Sequence, residues 1–381
     1  MRSRILIILA ILTAANVYVA TSMYIATGSN IVWWIAALIF GLELSMPILR
    51  FKGEGWVKKN PGLAPLVSGG GLLSMLAIAV FSMVFAFSAV RDIALFVAGL
   101  LISPSSLELA SRDSLEFELG LTAVLLLIGI YQALRGPGIK TVDVPLKGLP
   151  KAFEGFRIAQ VSDLHIGYTI GASYVKNVVQ AVNDLKPDMI ALTGDITDGD
   201  PAHLGEVAKE LGGMNSTFGR FFVTGNHEYY HNAPGWIEHH KESGTRVLLN
   251  ENHVIEKEGA KLAILGVADV SAHYFVPSHK SNAQAAAAGV PEGVIKILLA
   301  HQPVSYKAAH VAGVNLQLSG HTHSGQFFPW NLFIGFFHDY YRGLGRFKEM
   351  WIYVNPGTGY WGPPLRTAVS SEITLLTLSS L

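Results

Sequence analysis

The chain has 381 residues, with 28 Lys and Arg against 28 Asp and Glu, and this balanced charge excludes a nucleic-acid partner held by bulk electrostatics. Half of the residues are hydrophobic and only 15% are charged, a composition too apolar for an ordinary soluble protein, so a membrane portion is expected. Cysteine is absent, which removes disulfides, thiolate catalysis and cysteine-held zinc and leaves His, carboxylate and amide to hold any metal.

The run from Ile5 to Ala26 is uninterrupted by charge, and roughly 20 such residues span a bilayer core. Arg2 and Arg4 in front of it also suit a signal peptide, but further spans follow at once, so an uncleaved first span is the better reading. Further spans are expected at Ile31 to Leu49, Val67 to Val90 and Leu119 to Leu134. The piece from Ile93 to Ser103 is too short to cross and reads as an interfacial or re-entrant segment, or as an extension of the third span. Basic residues set the orientation: Arg2 and Arg4, then Arg50, Lys52, Lys58 and Lys59, then Arg135, Lys140, Lys147 and Lys151 flank the same side. With four spans, everything after residue 135 is cytoplasmic, and a bacterial inner membrane is the expected location. A fifth span would reverse this. Glu43 is the one clear intramembrane ionisable residue, near the end of its span, where an interfacial carboxylate is expected. Residues 1–135 therefore read as an anchor rather than as a transporter.

Residues 136–152 read as a linker, and after them the pattern changes to short β-rich runs ending in polar clusters, separated by helical stretches. Strands are expected in "FRIAQVSD", "DMIALTGD", "RFFVTGNHE", "KLAILGVAD", "VIKILLAHQ", "VNLQLSGHTH", "MWIYVNPG" and "EITLLTL". Helices are expected in "SYVKNVVQAVNDL", "HLGEVAKEL" and "GWIEHHKESG". The fold class is thus α/β over 153–381, with βαβ units on a mostly parallel sheet and a second, later sheet packed on it.

All fourteen His lie at or beyond His165, so side chains suited to metals are confined to this part. Asp163 and His165, Asp195, Asn226 and His227, His301, and His321 with His323 each fall at the C-terminal end of an expected strand, the edge where α/β sheets build sites. His321 and His323, two residues apart on a strand end, point to one face. Any one of these residues alone is more often a cap or loop residue. Five such clusters in one order are not readily explained that way.

The blocks "SDLH", "TGDITD", "TGNHE", "LLAHQ" and "SGHTH" resemble the calcineurin-like metallophosphoesterase superfamily, and "HSGQFFP" with "NPGTGYWGPPLR" is similar to its bacterial membrane-associated branch. The resemblance implies an αββα sandwich of two mixed sheets flanked by helices. It also implies two divalent metals, one held by Asp163, His165, Asp195 and His323, the other by Asp195, Asn226, His301 and His321, with Asp195 bridging. Two such ions about 3.5–4 Å apart clamp a phosphoryl group and hold an activated water for in-line attack. Nitrogen and oxygen ligands without thiolate suit Mn, Fe or Zn. His227 matches the position of a histidine that protonates or stabilises the leaving oxygen. Asp198 and Glu228 are candidates to orient a histidine, although Asp198 equally suits a cap or loop tie. Arg366 is a candidate for a substrate anion, though a solvated arginine is the commoner case.

The expected function is a membrane-bound phosphoesterase or pyrophosphatase whose substrate is lipid-linked. The reason is that the aromatic run from Phe327 to Phe337 follows His323 directly and suits a bilayer face; core packing explains the same run. Hydrolysis of UDP-diacylglucosamine is an activity of similar enzymes and one named candidate. A nucleotide or cyclic-nucleotide phosphodiesterase and a non-enzymatic scaffold on the same fold are the alternatives.

Overall fold

A computed structural model describes residues 2–381, except the side chains of residues 2–5, 50, 51, 54, 58 and 61. Arg2, Arg4, Arg50 and Lys58, used above for orientation, therefore have side chains outside the described residues. The chain divides into two units, Met1–Gly129 and Ile130–Leu381.

The first unit holds helices α1 (Arg2–Thr27), α2 (Ile31–Lys59), α3 (Ala64–Ala98) and α4 (Pro104–Leu134), the last of which runs a few residues past its boundary. All four are long and apolar enough to cross a membrane. Residues 93–98 complete α3 and the following turn leads into α4, so the short apolar piece extends the third span and does not cross. The fourth helix starts fifteen residues before the expected span, because its polar first half "PSSLELASRDSLEFE" forms helix without being hydrophobic.

Glu43 is not left as an exposed carboxylate: it is buried and accepts from Asn16 Nδ2 at 2.9 Å. Nor is it alone, since Arg91 and Glu118 are buried within α3 and α4. Arg91 Nη1 donates to Glu118 Oε2 at 2.9 Å, and Ser88 Oγ donates to the other oxygen at 2.7 Å. Asp92 accepts from Tyr18 at 2.9 Å and from Ser22 at 2.6 Å, which ties α1 to α3. Paired charges of this kind hold helices together where apolar contact alone does not discriminate between neighbours.

The second unit has twelve strands in two six-stranded sheets. The first sheet runs in the order β1 (Gly138–Leu146), β12 (Glu372–Ser380), β2 (Arg157–Val161), β3 (Met189–Leu192), β4 (Arg220–Phe222), β5 (Arg246–Val247). The second is ordered β10 (Gly343–Phe347), β11 (Met350–Val354), β9 (Leu316–Ser319), β8 (Ile295–Leu299), β7 (Ala260–Gly266), β6 (Glu251–Lys257). Strands β2 to β5 are parallel neighbours, as are β7, β8, β9 and β11. Residues such as Ile158, Met189, Phe221, Ile264, Ile297 and Leu316 pack between the sheets. Helix α5 (Ala172–Asp184) covers the outer face of the first sheet with Val175, Val178 and Val182, spaced three and four apart. With α6 (Pro201–Ala208), α7 (Asn226–His231) and α8 (Ala233–Glu242), the unit forms the layered sandwich expected from the sequence.

The stretch read as a linker is largely strand β1, parallel to β12 in the register Val144↔Leu378. Val142, Val144 and Leu146 turn to one face, and Pro145 is tolerated because β1 is an edge strand.

Replacing Arg91 by Ala strands the buried Glu118 carboxylate, and breaking such a buried pair costs about 3–5 kcal/mol. Thermal unfolding in detergent is expected to move to lower temperature, and the apolar double replacement Arg91→Met with Glu118→Leu to recover most of the loss.

Candidate metal centre

The strand ends bring the sequence-derived residues together through an unusual backbone. Asp163, His165, Asp195, His321 and His323 all have φ between 48° and 72°, in the left-handed region that side chains other than glycine resist. The chain thus turns sharply after β2, β3 and β9, and successive side chains point inward. Gly194 and Gly320 make room for these turns. A Cβ on Gly194 would lie 2.6 Å from the Gly225 nitrogen, and one on Gly320 would lie 2.0 Å from Asp163 Oδ2.

Two groups of donor atoms result, Asp163 with His165 and His323, and Asp195 with His301 and His321. In the first, His165 Nε2 lies 3.0 Å from His323 Nε2, which lies 3.4 Å from Asp163 Oδ1. In the second, His301 Nε2 lies 3.1 Å from Asp195 Oδ2 and 3.2 Å from His321 Nδ1. Asp195 also groups with His165 and His227, so it stands between the two sets. The Asn226 Oδ1 atom is buried without a hydrogen-bond partner.

Neighbours fix which atom of each ring faces inward. Asp198 Oδ1 lies 3.1 Å from His165 Nδ1 and also bonds His227 Nδ1, so this carboxylate orients two histidines. His301 Nδ1 donates to the Thr193 carbonyl at 2.8 Å. Arg366 Nη2 donates to His323 Nδ1 at 3.1 Å, leaving Nε2 as the inward atom. Arg366 is wholly buried rather than solvated: it caps the carbonyls of Pro356 and Gly359, and its Nη1 has no partner. Glu228 touches no histidine ring in the hydrogen bonds it makes. Its carboxylate accepts from the backbone N–H groups of Asp195, Ile196, Thr197 and Gly225 at 2.7–3.3 Å, stapling the loop after β3 to the loop after β4.

Charge and burial divide the rings into two kinds. Burial and the neighbouring His301 push His321 down to about 3, and burial with His165 holds His323 well below its usual value. Burial acts the same way on His165 and His301, but Asp198 overrides it at the first and Asp195 at the second, raising both. Burial opposes ionisation of Asp195, yet His301 and His227 hold it well below the usual carboxylate range. Two rings held neutral, two more beside carboxylates, an ionised carboxylate between two donor sets and an orphaned buried amide oxygen are the donor chemistry of a mixed nitrogen and oxygen site for divalent cations.

Several residues near this rim escaped sequence reasoning. The His338 ring lies 5.9 Å from that of His321, and Tyr230 and Trp361 lie 5.1 and 6.1 Å from His227. Tyr230 stands three residues after His227 on α7, a helical spacing that puts both on one face, whereas His338 and Trp361 arrive on loops from elsewhere with no spacing to signal them. Asp269 ties down a turn, accepting from Ser271 N–H at 2.8 Å, and additionally from Gln302 Nε2. Most of the remaining histidines lie away from the rim; His240, for example, is buried in helix α8 against Phe222. The aromatic run after His323 is mostly not core. Phe327 is buried, but Trp330, Leu332, Phe333, Phe336 and Phe337 are 45–81% exposed.

Residues 156–325 match the family model for calcineurin-like phosphoesterases. A zebrafish (Danio rerio) transmembrane protein with metallophosphoesterase domain is 38% identical over 68% of this chain and 61% of its own length. A metallophosphoesterase of Campylobacter jejuni is 33% identical over 69% of this chain and 70% of its own, and one of Aquifex aeolicus 30% identical over 67% and 97%. The chain spans about three fifths of the zebrafish relative.

Two outcomes follow from this geometry. Glu228→Gln turns an amide N–H₂ toward two of the four stapling N–H groups, and each buried group left unsatisfied costs about 1–3 kcal/mol. Thermal unfolding and Mn²⁺ titration are expected to show both lower stability and weaker binding. Asp198 and Asp195 strengthen the hold of His165 and His301 on a proton, and a cation bound by these rings would compete with it, so affinity for Mn²⁺ is expected to rise with pH. Calorimetry in buffers of different ionisation enthalpy would report the protons released.

Proposed function

The chain belongs to the calcineurin-like phosphoesterase family, and on that premise we propose that it is an integral-membrane, divalent-metal-dependent phosphoesterase acting on a lipid-linked phosphate or pyrophosphate. The observation that carries the reading is the pair of donor sets meeting at Asp195, with the orphaned Asn226 oxygen beside them.

Asp163, His165, Asp195 and His323 are proposed to hold one ion, and Asp195, Asn226, His301 and His321 the other. Mn, Fe and Zn suit these donors. When bound, such ions supply positive charge to phosphoryl oxygens and lower the pKa of water. The chain's own residues do the rest. Asp198 fixes the His227 ring by its Nδ1, so Nε2 faces the centre, 3.8 Å from Asp195 Oδ2. From there His227 is proposed to pass its Nε2 proton to the leaving oxygen as the phosphorus–oxygen bond breaks. Arg366 and Asp198 are positioning residues, acting through His323 and through His165 with His227. Glu228 holds the loops that carry Asp195 and Asn226.

The exposed aromatic side chains beside the centre support a lipid-linked substrate, as do the four membrane-length helices in the same chain. Lys140, Lys147 and Lys151 after α4 support a cytoplasmic placement of this unit.

Detergent-solubilised protein loaded with Mn²⁺ is expected to hydrolyse phosphoesters, with Asp195→Ala and Asn226→Ala abolishing turnover. His227→Ala is expected to lower kcat by roughly 10²–10⁴ for alkyl esters, in keeping with loss of a general acid. For a p-nitrophenyl ester, whose leaving group needs no proton, the loss should be much smaller. No turnover at full metal occupancy across monoesters, diesters and pyrophosphates would sink the reading. Preference for soluble nucleotides over every lipid phosphate would instead favour a nucleotide phosphodiesterase.

A further inference from the structure

We propose that the segment Trp330–Phe337 is a membrane-docking element, with the lipid bilayer as its partner, that seats the mouth of the metal centre at the headgroup layer. As a route for substrate, this rests on the lipid-linked reading above; as a contact with the bilayer, it stands on the segment itself.

From Phe327 to Phe337 there is no Asp, Glu, Lys or Arg. A single helical turn, Trp330–Phe333, passes into a tighter turn at Ile334–Phe336. One side of this element is fastened to the protein. Phe327 is buried, Phe328 N–H donates to Thr367 Oγ1 at 2.7 Å, and Asn331 Nδ2 donates to the Thr367 carbonyl at 3.3 Å. The other side presents Trp330 at 49% exposure, Leu332 at 64%, Phe336 at 81% and Phe337 at 75%. The apolar face is therefore held outward by a fixed scaffold.

The element follows directly on the loop that carries His321 and His323, and Thr322 Oγ1 of that loop donates to the Tyr341 carbonyl, just beyond the element's far end, at 2.6 Å. At the near end Gln326 Nε2 donates to the Trp361 carbonyl at 2.8 Å, fastening it to the loop before β12. His338, directly after the element, stacks edge-on near His321. Whatever covers the apolar face thus comes to lie next to the metal centre.

A contiguous apolar patch facing water is unfavourable and marks an interaction surface. This chain already carries four helices of membrane-spanning length, which keep a bilayer at high effective concentration. The residues bordering the patch suit an interface. Half-buried Tyr341 is followed by exposed Arg342, whose guanidinium lies 5.6 Å from the Tyr341 ring, and aromatic rings and cations of this kind favour the headgroup region.

The absence of cysteine makes the test direct. Phe336→Cys in the full chain carries a single nitroxide label, with Leu332→Cys as a second probe should the first misfold. Val311→Cys, at a position 69% exposed on another helix of the same unit, is the reference. In nanodiscs of phosphatidylethanolamine and phosphatidylglycerol, labels at 336 and 332 are expected to collide with oxygen several-fold more, relative to a water-soluble nickel chelate, than the label at 311. Equal ratios at all three positions, meaning water, would overturn the proposal. So would low collision with both reagents, meaning burial against protein such as a second copy. The measurement needs no turnover, so it holds or fails separately from the phosphoesterase reading.

Discussion

A side chain other than glycine resists the left-handed backbone, at about 1–2 kcal/mol per residue for a repeated conformation and less for a lone Asp or Asn. Asp163, His165, Asp195, His321 and His323 all accept it at the ends of parallel strands. This is what lets two sheets present their edges to one point. The surroundings are arranged to hold it: the four N–H groups gathered by Glu228, the His321 N–H bonded to both Asp163 oxygens, and the close approaches that only glycine permits at positions 194 and 320. Strained residues persist where the environment over-determines them, and here that environment is backbone hydrogen bonding rather than apolar packing.

The same crowding sets the electrostatics. Imidazoles and carboxylates withdrawn from water cannot all take their ordinary protonation states. The two histidines of "GHTH" are forced neutral by burial and by neighbouring rings, while His165 and His301, each beside an aspartate, are drawn the other way. Asp198 serves a proposed ligand, His165, and the proposed acid, His227, through one oxygen. The orientation of the acid is therefore bound to that of the first donor set.

The rim was legible in the sequence because strand ends are marked locally, by β-rich runs that break into polar clusters, and because five such clusters recur in one order. Residues whose roles depend on distant partners were not legible. Arg366 looks like a turn-flanking surface residue until its carbonyl partners fold around it. Glu228 reads as part of a motif, but its bonds are to backbone, which has no sequence signature. Hydropathy placed Arg91 and Glu118 at the margins of spans because it weighs neighbours in sequence, whereas each is neutralised by a residue on another helix. Strand β1 was read as a linker for the same reason: its pairing partner lies more than two hundred residues away.

That pairing has a consequence for how the protein is made. Strand β12, furthest along the chain, lies inside the first sheet between β1 and β2 rather than at its edge. During synthesis, α1 to α4 are available to the membrane while β2, the strand that leads to Asp163 and His165, still lacks its neighbour. The sheet closes only when residues 372–380 have left the ribosome. Until then the nascent unit exposes two open strand edges and an unfinished core, so its assembly is late, dominated by long-range pairing, and dependent on protection from aggregation.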